Sequence, residues 1–268
     1  MKFIIEDIGD RFDELKSSLE KENLWYKEVK HIPFSMTWDI SLPDNDYHKY
    51  FPFCSVNMML LAKDIGMNVF FEEVNYDYIK FAQEYGEHFI NHDLTLFKFG
   101  DLPRMEAEAS DLNKSIYIRD AYGDNLIKGR VHCYMELSTK YSEYMGRSLG
   151  KKKITDDYQM IFSSPKQIRS EYRFFVVNGE IVSGSQYNEF GNFCIKNIDN
   201  SEYTNHHSFV DKMISIYSPD NSFVIDIAEM GDGSFKVVEC NCINCSGFYA
   251  VNIHKLIECL NEAYNSYE

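Results

Sequence analysis

Hydrophobic and polar positions along this chain alternate with a period of two in some stretches and recur every three or four residues in others. EYRFFVVNGEIVSGSQY (171–187) breaks at Asn178-Gly179, a pair suited to a two-residue turn with both central φ angles positive, and predicts a β-hairpin. FVIDIAEMGDGSFKVVECN (223–241) predicts a second hairpin that turns within GDGS. YFPFC (50–54) and DLTLFKF (93–99) are expected strands, and YQMIFS (158–163) a strand stopped by Ser164-Pro165. SIYIRDAYGDNLIKG (115–129) predicts a strand, a turn at Gly123-Asp124 and a second strand. Helical spacing predicts helices at VNMMLLAKDIG (56–66), ending at Gly66, and at DYIKFAQEYGEHF (77–89). A further helix is expected in AVNIHKLIECLNEAY, where Val251, Ile253, Ile257 and Leu260 form one stripe. The pattern is that of an α+β protein with antiparallel hairpins toward its end.

Composition narrows the class. A chain of 268 residues holds one large domain or two modest ones, and 44% hydrophobic with 26% charged residues is ordinary for a globular protein. No apolar run approaches the ~18 residues of a membrane span. The start, MKFIIEDIGDRFDEL, turns acidic after three apolar residues, so no secretory signal is expected and the location is expected to be cytoplasmic. A formal charge of −15 argues against nonspecific nucleic-acid binding, which needs Lys and Arg to neutralise phosphates. Seven cysteines, an odd number, are most simply free thiols in such a chain. LGKKKITDD (149–157) is a basic loop or a solvated turn.

VVECNCINCSGFYA (237–250) interleaves two sets of ligand types. In a strand, Glu239 and Asn241 share one face and Cys240 and Cys242 the other, so the sets cannot serve one ion. The C-x-C-x-x-C of Cys240, Cys242 and Cys245 lacks a second Cys pair or a His pair at zinc spacing, with His254 as a candidate fourth ligand. Packed thiols are the simpler reading. His88 and His92 have the i, i+4 spacing of a zinc pair, but no Glu directly follows His88 and no third ligand is evident; His206-His207 falls in a polar loop. A two-residue turn at Asp232-Gly233 would set Asp226 opposite Glu239. Directly opposed like charges are destabilising in a sheet and call for a cation. Mg²⁺ takes a few carboxylates together with substrate phosphates, and Asn241 adds a neutral oxygen on the same face. The alternative is a solvated sheet face that carries both acids.

Asp226, Glu239 thirteen residues later and then Asn241, in adjacent predicted strands, resemble the D…E-x-N metal pattern of the ATP-grasp superfamily. With the RFFVVNG hairpin (173–179) and the SGFY tail (246–249), residues 115–260 are similar to a branch of that superfamily found in bacteria and their phages. The resemblance implies an ATP-grasp fold in which two α+β subdomains with antiparallel sheets clasp ATP. It sets a smaller N-terminal α/β portion at residues 1–100 ahead of an ATP-grasp domain at 101–268. It implies Mg²⁺, with Mn²⁺ able to substitute, held by Asp226, Glu239 and Asn241. Arg173 would face the γ-phosphate, and Arg119 and Lys128, flanking DAYGDNLIKG, would meet the phosphates. A hinge near 161–166 would bind adenine through Ile161, Phe162 and Ser163, with Glu171 near the ribose. Asn244, Ser246 and Gly247 would form the loop that meets the acyl substrate.

The implied reaction activates a carboxylate, of a small molecule or a peptide, with Mg-ATP through an acyl-phosphate that an amine attacks, releasing ADP. A kinase or nucleic-acid-end-modifying enzyme on the same fold, and a nucleotide-binding module without turnover, are the alternatives. Two features depart from the pattern: YIRD (117–120) lacks a Pro after its basic residue, and the glycine loop holds only Gly123 and Gly129.

Overall fold

The computed structural model of the chain describes residues 1–7, 11–30, 41–43, 45–122, 126–149 and 152–265. It divides into two compact units, one of Met1–Glu72 with Ile168–Glu268 and the other of Glu73–Gln167. In unit 1 the first strands share a core with the last helix and hairpins, a long-range association invisible to a boundary read along the chain.

In unit 1, β1 (Lys2–Glu6) lies at the centre of a parallel sheet between β2 (Tyr26–Val29) and β3 (Tyr50–Phe53). Helix α1 (Phe12–Lys21) connects β1 to β2, and α2 (Val56–Asp64) follows β3. Alternation along β1 sends Phe3 and Ile5 into one core and Ile4 into another. Burial on both faces is what a parallel sheet requires.

Unit 2 begins with α3 (Tyr78–Tyr85), capped by the Asp77 carboxylate, which accepts from Lys80 N at 2.6 Å. The helix is shorter than expected because Gly86 turns the backbone to φ +52°. His88 and His92 therefore do not share a helix, and His92 Nδ1 lies 3.1 Å from Phe89 O. There follow β4 (Thr95–Lys98), α4 (Leu102–Glu108), β5 (Ser115–Asp120), β6 (Arg130–Cys133) and α5 (Leu137–Tyr144). A small hairpin, β7 (Ser148–Leu149) and β8 (Lys152–Lys153), precedes β9 (Gln159–Ser163). The sheet is antiparallel in the order β4-β9-β5-β6. The expected Gly123-Asp124 turn and residues 150–151 of the basic loop lie outside the described residues. Gly129 leaves room for Tyr117, whose Oη would come within 2.0 Å of any Cβ there.

The chain returns to unit 1 through β10 (Ile168–Val177), β11 (Glu180–Glu189) and β12 (Asn192–Asn197), then α6 (Thr204–Ile216), β13 (Phe223–Met230), β14 (Phe235–Cys242) and α7 (Ile253–Asn265). These strands form an antiparallel sheet in the order β12-β11-β10-β13-β14. Asn178 and Gly179 turn with φ of +50° and +80°, as their sequence predicts. His206 and His207 belong to α6 rather than a loop, and His206 packs against Tyr172 and Phe235, where burial lowers its pKa.

The second hairpin departs from the simple register twice. Glu229 pairs with Phe235, and Gly231, Asp232 and Gly233 form a three-residue loop with Gly233 at φ +82°. Val238 then bulges out of β14, so Asp226 still pairs with Glu239. The stripe of α7, Ile253, Leu256, Ile257 and Leu260, is fully buried against Leu15 and Leu19 of α1 and Phe175 of β10. Burying each such side chain stabilises the unit by about 1.5–3 kcal/mol.

Candidate active site

One face of the antiparallel sheet changes character along its length. Phe175 and Val224, paired across β10 and β13, belong to the apolar core under α7. Two residues along, on the same face, Arg173 pairs with Asp226, and Asp226 pairs with Glu239 on the next strand. Three strands thus present one cation and two anions in a row, with Asn241 one alternation beyond Glu239.

Asp226 is 2% exposed and Arg173 12%. Arg173 Nε donates to Asp226 Oδ1 at 2.8 Å and Nη2 to Oδ2 at 2.7 Å, a two-pronged, charge-assisted pair. Nη1 donates to Gly247 O at 3.3 Å. Asn241 Nδ2 lies between the two acids, 3.1 Å from Glu239 Oε1 and 3.4 Å from Asp226 Oδ2. Glu171, on β10, joins this group instead of standing apart. Its Oε2 accepts from Asn188 Nδ2 at 2.8 Å and its Oε1 from Tyr187 Oη at 3.5 Å. Tyr187 and Tyr249 stack with centroids 4.9 Å apart, and the guanidinium carbon of Arg173 lies 5.8 and 5.0 Å from them.

Burial and the charge of Asp226 raise the Glu171 carboxyl, with Glu239 contributing. Burial raises Asp226 as well and outweighs the Arg173 guanidinium, while Glu239 adds to the rise. Burial also disfavours the charge on Arg173, but Asp226 keeps it protonated. Burial and the neighbouring acids push the Tyr187 phenol well above its ordinary value.

These side chains fit a divalent cation. Three carboxylates share one guanidinium, leaving two negative charges among them. Each Asp226 oxygen keeps a lone pair after its bond to Arg173. The donors are carboxylate and amide oxygens, the hard set that suits Mg²⁺, once the Asn241 amide is turned by half a rotation to bring Oδ1 inward. Sulfur is not part of this face. Cys240 and Cys242 are each 4% exposed and buried on the opposite side of β14, and His254 sits instead with Glu22 and Glu258.

The remaining expected residues divide. Ser246 Oγ donates to Cys242 O at 2.7 Å, and the loop through Gly247, Phe248 and Tyr249 lines a cavity of about 260 Å³ with Glu6, Phe12 and Phe53. Asn244 lies in the 3₁₀ turn after β14. It is fully buried, accepts from Phe70 N at 2.9 Å, and donates to Pro52 O and Asn68 O at 2.9 and 3.0 Å. Its amide ties the turn after β14 to β3 and to the segment of Asn68 and Phe70, and the residue also borders the cavity lined by Ser246 and Gly247.

In unit 2, Ile161 and Phe162 lie within β9. Both pair on each side of β9, Ile161 with Leu96 and Arg119, and Phe162 with Thr95 and Ile118. Their backbone groups take part in the sheet, which ends at Ser163, whose Oγ donates to Asn91 Oδ1 at 2.8 Å, and Ser164 N then donates to Asp93 Oδ2 at 3.1 Å. Arg119 is 8% exposed with its guanidinium 3.4 Å from the Tyr78 ring centroid, so its flat face is engaged in packing. Lys128 is exposed and makes no ion pair among the described residues.

Tyr187, Tyr249 and Asn188 escape the sequence reading. Tyr187 is the extra residue of a bulge, with Tyr172 paired to Gln186 and Glu171 to Asn188. A regular hairpin would place it elsewhere. The useful signal was the density of Tyr residues flanking a charged row.

A profile of the ATP-grasp domain, R2K clade family 3, matches residues 80–260. By structure the chain is similar to the D-cycloserine synthetase DcsG, with a TM-score of 0.62 and 9% identity over 98% of this chain and 99% of that one. It is similar to D-alanyl-alanine synthetase A from Vibrio cholerae O1 biovar eltor, at 0.60 and 10% over 98% of each. It is also similar to the ATP-grasp ligase PsnB complexed with a minimal precursor, at 0.56 and 11% over 98% of each. Identities this low carry the fold alone. A comparison with curated protein sequences finds no match.

Proposed function

The chain belongs to the ATP-grasp family, R2K clade family 3, and from that membership and its ATP-grasp fold we propose that it is a ligase joining a carboxylate to an amine with Mg-ATP. The observation that carries this reading is the row Arg173–Asp226–Glu239, with Asn241 beside it, on one sheet face. Asp226, Glu239 and Asn241 would hold Mg²⁺, which when bound supplies the positive charge that neutralises the ATP phosphates. Mn²⁺, with the same preference for oxygen, would replace it.

Asp226 fixes the plane and position of the Arg173 guanidinium, so a cation stands ready for developing charge without rearrangement. Ser246 and Gly247 present the loop that borders the acyl substrate, and Tyr187 and Tyr249 wall the charged row. In unit 2 we assign Lys128 to nucleotide phosphate because it is an exposed cation with no ion pair among the described residues, and the segment 164–167 to adenine because its backbone lies beyond the sheet.

A carboxylate oxygen attacks the γ-phosphorus and the bond to the leaving ADP oxygen breaks. An amine then attacks the acyl carbon, the bond from that carbon to the phosphate oxygen breaks, and inorganic phosphate leaves as the nitrogen gives up a proton. PsnB has been solved with a precursor peptide, and with Mg and ADP, and the names of the two synthetases point to amino-acid-like substrates. We extend that substrate class, amino acids or peptides, to this chain.

The test is incubation with ATP, Mg²⁺, hydroxylamine and a panel of amino acids and short peptides. ADP, phosphate and a hydroxamate are expected. AMP with pyrophosphate would overturn the mechanism, as would ADP with the phosphate retained on an alcohol.

A further inference from the structure

We propose that Cys242 and Cys245 are a modification site, a thiol pair that closes reversibly to a disulfide across the turn following β14. The pair spans Cys-Ile-Asn-Cys, with Cys242 ending the strand and Ile243–Cys245 forming a 3₁₀ turn. Cys242 is the extended residue at the start of that turn, with φ −63° and ψ 127°. One turn at about 2 Å per residue separates their Cα atoms by roughly 6 Å, within the ~4.4–6.8 Å that a disulfide spans. The Cys245 side chain already folds back on the turn, with Sγ 3.8 Å from Cys242 O.

The two thiols are unequal in the way a reactive pair requires. Cys245 is partly exposed and lines the cavity of about 260 Å³, whereas Cys242 is 4% exposed and packs with Met58, Met59 and Cys54. The adjoining Cys242 thiol lowers the Cys245 pKa, and the charge of Arg173 adds to this. A partly exposed sulfur at a cavity wall, backed by a buried one, is the arrangement of an attacking and a resolving cysteine.

The oxidant is a hydroperoxide. The Cys245 thiolate attacks one peroxide oxygen, an S–O bond forms, the O–O bond breaks, and the leaving oxygen takes a proton. The Cys242 sulfur then attacks the sulfenic sulfur, an S–S bond forms, the S–O bond breaks, and water leaves. Two thiols lose two electrons in total and one hydroperoxide gains them.

The test uses the reduced full-length chain and hydrogen peroxide. Two of the seven thiols should be lost together, with a peptide cross-linked between Cys242 and Cys245, and dithiothreitol should restore both. In Cys242→Ser the oxidation should stop at a sulfenic acid on Cys245 that dimedone traps, and Cys245→Ser should abolish the rapid loss. Mapping of the wild-type protein needs neither variant to fold. A cross-link from Cys245 to Cys54, first reaction at Cys133, Cys194 or Cys259, or retention of all seven thiols would overturn the proposal. None of these readouts depends on ligase activity.

Discussion

Arg173 and Asp226 stand directly opposite each other on β10 and β13, joined by hydrogen bonds of 2.8 and 2.7 Å while both are largely withdrawn from water. A buried carboxylate deprived of a paired counter-charge costs about 3–5 kcal/mol. Arg173→Ala should therefore lower the stability of the metal-free protein by roughly that amount in urea denaturation. Mg²⁺ should recover part of the loss, since it supplies Asp226 with a second counter-charge. Metal-free Arg173→Ala that unfolds at the wild-type urea concentration would show that the pair does not hold this part of the sheet.

Asn244 should behave as a structural tie. Asn244→Ala strands the Phe70 N–H and the carbonyls of Pro52 and Asn68 inside unit 1. Each unsatisfied group costs ~1–3 kcal/mol, so a loss of several kcal/mol is expected in chemical denaturation. A variant that melts normally but turns over a different carboxylate would show that Asn244 acts on the substrate and not as a tie.

Two acids should give opposite pH signatures. Burial and Asp226 raise Glu171, so its contribution to stability is complete below the unfolded value near ~4.3 and is lost as pH rises through the raised folded value. Glu171→Gln should flatten the fall in metal-free melting temperature over that window. Mg²⁺ binding in the same window should release a proton, visible as a buffer-dependent heat. Asp93 runs the other way. Burial raises it, but bonds from Lys166 and Ser164 hold it at about 2, so its contribution is present above ~3.9 and is lost as pH falls toward 2. Asp93→Asn should soften only the acid limb, modestly, because the carboxylate is partly exposed. Indistinguishable melting profiles for Glu171→Gln and wild type would remove Glu171 from the acidic group.

What the sequence made legible was the alternation. It separated Glu239 and Asn241 from Cys240 and Cys242, and it set Asp226 opposite Glu239. The second inference succeeded through two cancelling irregularities, a three-residue loop and a bulge at Val238, neither of which a regular register contains. The same kind of irregularity hid Tyr187. The contacts of Asn244 and Arg119 were hidden for another reason. Their surroundings, Phe70 and Pro52 for one and Tyr78 for the other, come from segments far along the chain, and residue type alone does not distinguish a tether from a ligand. The association of β1 and β3 with α7 is likewise a matter of tertiary packing.

The central claim is that Asp226, Glu239 and Asn241 form a Mg-nucleotide centre, and calorimetric titration with a non-hydrolysable ATP analogue tests it most directly. The wild-type protein should bind the analogue in Mg²⁺ and lose that affinity in chelator. Glu239→Gln, which keeps the shape of the side chain and removes one of the opposed charges, should fold normally. It should weaken Mg-dependent binding more than about tenfold, ~1.4 kcal/mol. A folded Glu239→Gln protein that binds the analogue with wild-type affinity and the same Mg²⁺ dependence would contradict the account.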